Sequence, residues 1–396
     1  MKNHLLSAKK ATHQATKYHN RDLVLKTIFD HDMISRAEIA RLTQLTRTTV
    51  SEVVSGLLAE GLIEEVGPGS SSGGKPSILL RLIADARYVI GINLAQHRFI
   101  ASVVNLRGDI KKTVEVPVRD DDGEKAIELV YQILDQLLDG SYRPIVGIGV
   151  GTPGLINTRA GIVLSAVNLE WQDLPLARLL EDRYRLPIRL LNDSQATAIG
   201  EFVYGNHKSD GNLIVVNVSH GIGAGILIHG RLFQGDGGGA GEIGHILVEE
   251  NGLPCRCGRR GCLETLASGW GIVQAVKQLS GTSDAVSLDS IQERFNANDS
   301  SVREIVLKAG HHLGKAIGGL IGTLNINTMI LIGDVTRFGE PWLNAVREAM
   351  TTSALRRMTQ ETRLEIGKLD YRACILGSSA YLLLDDYSLL FRQKEN

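Results

Sequence analysis

The sequence lacks an apolar run long enough to cross a membrane, and its first residues lack the apolar segment of a secretory signal peptide. Only 4 of its 396 residues are cysteines, and three of these are clustered, which fits a reducing compartment. The formal net charge is −1, so overall charge gives no indication of nucleic-acid binding. We therefore expect a cytoplasmic protein without membrane contact. The length and the 43% hydrophobic content predict two or three domains with substantial cores.

Positive charge is mildly concentrated towards the N-terminus. Residues 1–82 contain 11 Lys and Arg against 8 Asp and Glu, and residues 1–20 contain lysines but no acid. Such a bias fits either a nucleic-acid-binding region or a solvated tail.

The densest group of potential metal ligands lies in residues 241–264, GEIGHILVEENGLPCRCGRRGCLE. One histidine and three cysteines form a set that Zn²⁺ takes in closed structural sites. The alternatives are a disulfide or buried thiols without a metal. Zinc is favoured because three clustered cysteines and the isolated Cys374 do not form an obvious disulfide framework. The predicted ligands are His245, Cys255, Cys257 and Cys262.

The segments GEIGH and CxCGxxGCxE in this stretch resemble the signature of the ROK family, which contains transcriptional repressors and sugar kinases. The resemblance covers nearly the whole chain once the N-terminal segment is included. It implies that His245 both binds the zinc and contacts a sugar, and that Glu242 and Glu264 bind sugar hydroxyls. It also implies an α/β fold with the two actin-like, ribonuclease-H-like lobes of the sugar-kinase ATPase fold.

Residues 21–82 are predicted to form a winged helix-turn-helix domain after a tail over residues 1–20. Apolar residues at helical spacing predict a first helix over residues 21–31. Ser35 and Glu38 match a capping box for a second helix, and Thr46 is placed to cap a third, amphipathic helix. Two helices joined by a short turn are the pattern of a helix-turn-helix. The predicted major-groove contacts are Arg47, Thr48, Thr49 and Ser51.

Two predicted strands around a Gly/Ser-rich turn, residues 63–66 and 77–82, indicate a β-hairpin wing. Lys75 at its tip is placed to contact phosphate or the minor groove of double-stranded DNA. The alternatives are an ordinary helical bundle and a flexible linker. The module resembles the winged helix that precedes the sugar domain in ROK repressors and is absent from ROK kinases, which favours DNA binding.

Two α/β lobes are predicted to follow, over residues 87–205 and 206–396, and the second carries the zinc loop. VIGINLAQHRFIASVVNLRGDI and IVVNVSHGIGAGILIHGRLF both have the pattern strand, tight turn, strand, Gly turn, strand, which indicates a duplication. The prediction allows the C-terminal helix, although it belongs to the second segment, to pack on the first lobe. Ligands of open α/β sheets bind at the carboxyl ends of strands, where the GTPG turn and the Asn192–Asp193 pair lie.

The Asn192–Asp193 pair carries the strongest indication of a sugar site outside the zinc loop. By resemblance, Asp193 matches the carboxylate that takes a proton from the sugar hydroxyl in ROK kinases, and Asn192 would hold a neighbouring hydroxyl. Asp193 could equally cap the helix that follows it. Asn168, in NLEWQDLPL, resembles a further sugar-contacting asparagine.

The nucleotide side departs from the kinase pattern. ROK kinases carry an acidic residue and a Gly-Gly-Thr turn after the first strand, whereas this chain has Asn93 followed by Ala95, Gln96 and His97. The adenosine-side loop contains Asp334, which would add negative charge near an anionic ligand. The turn HGIGAG at residues 220–225 is the phosphate-binding segment that is preserved. We therefore expect an intact sugar side and an impaired nucleotide side.

The sequence predicts a sugar-responsive transcriptional regulator, and more specifically a repressor, that binds palindromic operator DNA as a homodimer or homotetramer. Zn²⁺ is the expected structural cofactor, and a monosaccharide is the expected effector. One alternative is an ATP-dependent sugar kinase with an added DNA-binding module, in which Asp193 would be catalytic. Another is a regulator that responds to a partner protein or a phosphorylated sugar. The predicted sugar contacts are Asn168, Asn192, Asp193, Glu242, His245 and Glu264.

Overall fold

The computed structural model describes residues 13–69, 76–118, 122–207, 209, 211–280 and 286–386. These residues form two compact units. One comprises residues 13–88, Asn105–Asp109 and 383–386, and the other comprises Val89–Val104 and Ile110–Leu382. None of the described helices combines the length and the apolar character that a membrane span needs.

The smaller unit contains three helices and a three-stranded antiparallel sheet in which β3 lies between β1 and β2. Helix α1 covers residues 13–20, which the sequence analysis assigned to a tail. This segment contains neither proline nor glycine, so the helix that starts in the apolar residues extends back through it. The elements are α1 (His13–Phe29), β1 (Ile34–Ser35), α2 (Arg36–Thr43), α3 (Arg47–Ala59), β2 (Ile63–Pro68) and β3 (Ile78–Leu82).

Hydroxyl side chains start α2 and α3, as the sequence predicts. Ser35 Oγ accepts a hydrogen bond from the backbone N–H of Glu38 at 3.2 Å, and Thr46 Oγ1 accepts one from Thr49 at 3.2 Å. The Glu38 carboxylate lies 3.5 Å from the Arg41 guanidinium instead of completing a capping box. Between the two helices, Gln44 adopts a left-handed φ of 57°, which makes the turn.

Helix α3 has one buried and one solvent-facing side. Val50, Val54 and Leu57 are buried in the small unit. Of the predicted DNA contacts, Arg47, Thr48 and Ser51 are exposed and Thr49 is half-buried. Strands β2 and β3 occur where the sequence predicts the hairpin, and Lys75 at its predicted tip lies outside the described residues.

The first half of the larger unit is an α/β segment. The sequence predicts strands over residues 88–94, 99–105, 112–118, 145–150 and 188–191 and helices over residues 124–138 and 196–204, and each has a counterpart in the structure. The three short strands β8 to β10, which form a small sheet of their own, were not predicted. The elements are β4 (Tyr88–Ala95), β5 (Arg98–Asn105), β6 (Ile110–Pro117), α4 (Gly123–Leu137), β7 (Ile145–Thr152), β8 (Leu155–Asn157), β9 (Ile162–Ala166), β10 (Trp171–Leu174), α5 (Leu176–Tyr184), β11 (Ile188–Asn192) and α6 (Asp193–Tyr204).

The second half repeats this arrangement and adds further helices. The elements are β12 (Leu213–Val218), β13 (Ile222–Ile228), β14 (Arg231–Leu232), α7 (Leu263–Ala267), α8 (Gly269–Ser280), α9 (Leu288–Asn296), α10 (Ser300–Leu324), β15 (Thr328–Ile332), α11 (Gly339–Thr352), α12 (Arg356–Glu361), β16 (Arg363–Ile366) and α13 (Arg372–Asp386).

Two five-stranded sheets share one topology. The strand order is β11-β7-β4-β5-β6 in the first sheet and β16-β15-β12-β13-β14 in the second. In the second sheet, β12, β13 and β14 pair antiparallel, whereas β15 and β16 add in parallel. In the first, β5 and β6 pair antiparallel and β7 and β11 pair in parallel. The duplication that the sequence pattern predicts is therefore confirmed.

The C-terminal helix α13 lies directly on the first sheet. A Cβ atom at Gly91 would come within 2.2 Å of the Ile375 carbonyl oxygen, and one at Gly149 within 2.1 Å of the Ser378 carbonyl oxygen. Glycine is required at both strand positions because the helix backbone approaches the sheet so closely. Helix α13, the last helix among the described residues, therefore packs against the first sheet.

Candidate functional site

A cavity of 770 Å³ lies between the two halves of the larger unit. It is lined by residues at or just after the carboxyl ends of strands in both sheets, where ligands of open α/β sheets bind. All the predicted sugar contacts face it: Asn168, Asn192, Asp193, Glu242, His245 and Glu264.

The predicted zinc ligands form one cluster beside this cavity. One ligand atom from each of the four residues lies within 4.8 Å of all the others. Cys255 Sγ is 3.7 Å from His245 Nδ1, and Cys257 Sγ is 3.7 Å from Cys262 Sγ. The sulfur separation is too long for a disulfide of about 2.0 Å. It fits two sulfurs on one tetrahedral ion, for which Zn–S bonds of about 2.3 Å give about 3.8 Å.

A tight loop brings these ligands together. Gly258 and Gly261 have φ values of 87° and 70°, and a Cβ atom at Gly261 would meet the Glu249 carbonyl oxygen at 1.7 Å. The backbone N–H of Cys255 donates to the Arg259 carbonyl at 2.7 Å, which closes the turn. His245 directs Nδ1 towards Cys255, while its Nε2 lies 4.0 Å from Glu242. One imidazole is therefore shared by the ligand cluster and the cavity.

Asn192 and Asp193 have different roles at the start of α6, one as the helix cap and the other as a carboxylate at the cavity. Asn192, not Asp193, is the N-cap of α6, because its Oδ1 accepts hydrogen bonds from Ser194 N at 2.9 Å and Gln195 N at 3.3 Å. Its Nδ2 donates to the Gly154 carbonyl at 3.0 Å. Asp193 is the first residue of the helix and accepts from Ser194 N at 2.7 Å. Burial raises the pKa of Asp193 to about 6.

Three carboxylates converge on the cavity. Burial, together with the negative charges of Asp193 and Glu264, raises the pKa of Glu242 to about 7. Glu264 is buried, and its Oε2 accepts from the backbone N–H of Ile222 at 3.2 Å. Such a group of oxygens is suited to accept hydrogen bonds from several hydroxyls of one ligand.

Arg256 belongs to this site and was not found from the sequence. It lies between two cysteines of the loop, and its Nη1 donates to Asn168 Oδ1 and to His220 Nε2, both at 2.8 Å. Its Nη2 donates to Glu264 Oε1 at 3.3 Å, and its guanidinium lies 5.4 Å from the Trp270 ring centroid. The available sequence signal was a basic residue inside a metal-binding motif, which gives no indication of the direction of its side chain.

The nucleotide side of the cavity carries two imidazoles. The rings of His97 and His220 lie edge to face with centroids 5.7 Å apart. Burial, together with the positive charge of Arg256 and the proximity of His97, lowers the pKa of His220 to about 4. Asn93, Gln96 and Asp334, which the sequence analysis singled out, line the same cavity.

Several known proteins are similar to this chain over most of their length. The model of the ROK family matches residues 89–385. The xylose repressor of Caldicellulosiruptor bescii is 31% identical over 389 residues, which cover 94% of this chain and 97% of that protein. The crystal structure of a ROK family transcriptional regulator, a homologue of the E. coli MLC protein, matches with a TM-score of 0.83 and 24% identity over 95% of this chain and 98% of that one. The ROK family glucokinase from Streptomyces griseus, crystallised with glucose and AMPPNP, matches with a TM-score of 0.66 and 25% identity over 98% of its own chain but 74% of this one.

Proposed function

We propose that this chain, which belongs to the ROK family, is a DNA-binding transcriptional repressor of sugar metabolism or transport whose larger unit binds a monosaccharide effector. The observation that carries the proposal is the combination of two features in one chain. An N-terminal helical unit with an exposed polar helix precedes a cavity lined by carboxylates and amides. The match to the xylose repressor covers 94% of this chain, whereas the match to the glucokinase covers 74%.

The smaller unit is assigned to DNA binding. Helices α2 and α3 and the turn at Gln44 form the helix-turn-helix, and β2 and β3 form the sides of the wing. One such unit per half-site requires a homodimer or homotetramer on a palindromic operator. The proposed contacts to double-stranded DNA are Arg47, Thr48, Thr49, Ser51 and Lys75.

The cavity is assigned to a monosaccharide. Each carboxylate or amide can bond two adjacent hydroxyls, which is what a polyhydroxylated ring needs. The proposed contacts are Asn168, Asn192, Asp193, Glu242, His245 and Glu264, all of which line the cavity. A sugar changes DNA affinity to the extent that it binds one of two arrangements of the protein better than the other.

The loop cluster is assigned to structural zinc. His245 Nδ1 and the sulfurs of Cys255, Cys257 and Cys262 would hold the ion, and their separations fit tetrahedral coordination. Four protein ligands leave no position for a reactive water. When bound, zinc would fix the loop that carries Arg256 and shares His245 with the sugar site.

The chain is proposed not to be an enzyme. Phosphoryl transfer requires a cradle for the nucleotide phosphates. Here His97 places an imidazole ring in the turn after the first strand, where ROK kinases carry a Gly-Gly-Thr turn, and Asp334 adds an acid to the adenosine side. The alternative is an ATP-dependent sugar kinase with Asp193 as general base, because that carboxylate faces the cavity with a pKa of about 6.

A coupled assay for ADP release separates these functions. We expect no sugar-dependent ADP release with ATP and a panel containing xylose, glucose and N-acetylglucosamine. Asp193→Asn is the matched control, because any true kinase turnover would disappear in this variant. Turnover of roughly 1–10³ s⁻¹ that depends on Asp193 would contradict the proposal and establish the kinase.

A further inference from the structure

Arg256 connects the zinc loop to the opposite side of the cavity. It lies between Cys255 and Cys257, and Asn168 lies in the segment that joins β9 to β10 in the first half of the unit. Its guanidinium reaches Asn168, His220 and Glu264 at 2.8, 2.8 and 3.3 Å. Two of these three partners are proposed sugar contacts.

The guanidinium fixes the direction of every hydrogen bond that it makes, because arginine can donate but cannot accept. Asn168 must therefore turn its Oδ1 towards Arg256, so that its Nδ2, a donor, remains for a ligand. A free asparagine side chain could turn either atom to the cavity. The bond to Arg256 removes this choice.

Arg256 also fixes the role of Glu264, which is to accept hydrogen bonds, in contrast to the donor role of Asn168. Its Oε1 accepts from Arg256, and its Oε2 accepts from the backbone N–H of Ile222 at 3.2 Å. Each of these oxygens has a further lone pair, so the carboxylate can also accept hydrogen bonds from a ligand. The two side chains that Arg256 holds therefore present opposite groups to a ligand. Asn168 offers a hydrogen-bond donor, and Glu264 offers acceptors.

We propose that Arg256 is a positioning residue that determines effector specificity by making Asn168 a donor opposite the acceptor carboxylates of the site. The inference rests on the proposed function, since it assumes a sugar in this cavity. It defines the effector as a neutral monosaccharide that presents an accepting oxygen to Asn168 and donating hydroxyls to Asp193, Glu242 and Glu264. A phosphate on the sugar would meet these three acids, while Nη1 and Nη2 of Arg256 already donate to protein groups.

Deoxyfluoro sugars test the polarity directly, because a C–F group can accept weakly but cannot donate. The probes are xylose, glucose and N-acetylglucosamine, with the monodeoxyfluoro derivatives of whichever sugar the full-length, zinc-loaded protein binds in calorimetry. Fluorine should weaken binding about 10- to 100-fold where the hydroxyl faces a carboxylate. At the one position that faces Asn168, the loss should stay below about tenfold.

Substitutions of Asn168 and of Arg256, which share one hydrogen bond, test which residue sets the polarity of the site. Asn168→Asp still accepts from Arg256 but cannot donate, so fluorine at the tolerated position should now weaken binding at least about tenfold. Arg256→Gln can also accept from Asn168, which lets the amide turn its Oδ1 to the sugar hydroxyl, so the loss caused by fluorine at the tolerated position should rise above that of the wild type. Arg256→Lys can only donate, as arginine does, and should keep the fluorine pattern of the wild type. Zinc content is measured in each variant, so that loss of the loop is recognised as such.

The outcomes separate the inference from the function on which it rests. If Arg256→Gln retains zinc and the fluorine pattern of the wild type, Arg256 does not set the polarity. Binding of glucose 6-phosphate without binding of glucose would overturn the neutral ligand class while leaving an effector site. If the wild-type protein binds none of these sugars, the proposed function itself fails.

Discussion

Asp193 shows how burial of a site residue opposes stability. Burial raises its pKa from the ordinary 3.8 to about 6, while bonds from Ser194 partly offset the shift. Because the folded pKa is higher than the unfolded one, the folded state binds the proton more tightly. The cost in unfolding free energy is absent below about pH 3.8, grows between the two pKa values, and is complete above about pH 6. A buried acid that remains ionised at neutral pH therefore destabilises the fold, which is expected of a residue kept for binding.

Asp193→Asn should raise the melting temperature at pH 8 and change it much less at pH 4. The asparagine keeps an oxygen to accept the Ser194 bond but removes the buried charge. Scanning calorimetry at the two pH values measures the difference. Asp139→Asn is the control of opposite sign, because the hydrogen bond from Lys112 holds the pKa of Asp139 below its usual range. Equal shifts at both pH values for Asp193→Asn would contradict the burial argument.

Individual site residues were predictable where they share one segment. His245, the three loop cysteines and two acids are close in sequence, so ligand chemistry alone could group them. The Arg256–Asn168 bond joins residues that are 88 positions apart, and its existence depends on how the loop folds across the cavity. The edge-to-face contact of His97 and His220 likewise joins turns of two different sheets.

At the scale of elements, α3 presents polar side chains to solvent at its N-terminal end. Its buried side carries Val50, Val54 and Leu57, which leaves the N-terminal polar side to solvent. Arg47 is the first residue of the helix and is exposed. A guanidinium at this position, beside the backbone N–H groups of the helix N-terminus, is suited to a phosphate or a base edge.

Arg47→Ala should weaken binding to specific DNA by about 10- to 100-fold, since a good bidentate contact contributes about 1–3 kcal/mol. If Arg47 contacts phosphate instead, the slope of log affinity against log salt should fall in magnitude by about one. Fluorescence anisotropy across a salt series measures both quantities. Arg357→Ala removes an exposed charge from α12 of the larger unit and is the matched control. Unchanged DNA affinity in Arg47→Ala would remove α3 as the recognition helix.

Elements with a long, regular pattern were predicted well, and short ones were not. The sequence predicts buried strands over residues 145–150 and 329–332 and a long helix over residues 302–324, and β7, β15 and α10 occur close to these bounds. Strands β8, β9 and β10 were not predicted, because each has 3–5 residues and is stabilised by pairing with its neighbours. Local periodicity cannot report such pairing. This small sheet nevertheless matters for the site, because Asn168 lies in the short segment that joins β9 to β10.

At the scale of the whole molecule, the duplication places the site. Two sheets of the same topology direct the carboxyl ends of their strands towards one cavity, which both line. The repeat could be predicted from two glycine-punctuated segments of the sequence. That the loop with His245 and the three clustered cysteines lines the same cavity could be predicted only from its resemblance to a known signature, because no local pattern determines where the loop folds.

The change in DNA affinity on addition of a sugar tests the central claim most directly. Fluorescence anisotropy with DNA from upstream of the chain's own gene is measured at fixed salt while neutral monosaccharides are titrated. We predict that at least one sugar changes the apparent affinity by about 5- to 150-fold. Cys257→Ser should lose both zinc and this response, whereas Arg260→Ala, an exposed change in the same loop, should keep both. A protein that binds this DNA specifically but responds to none of the sugars, or a Cys257→Ser variant that responds fully without zinc, would contradict the account.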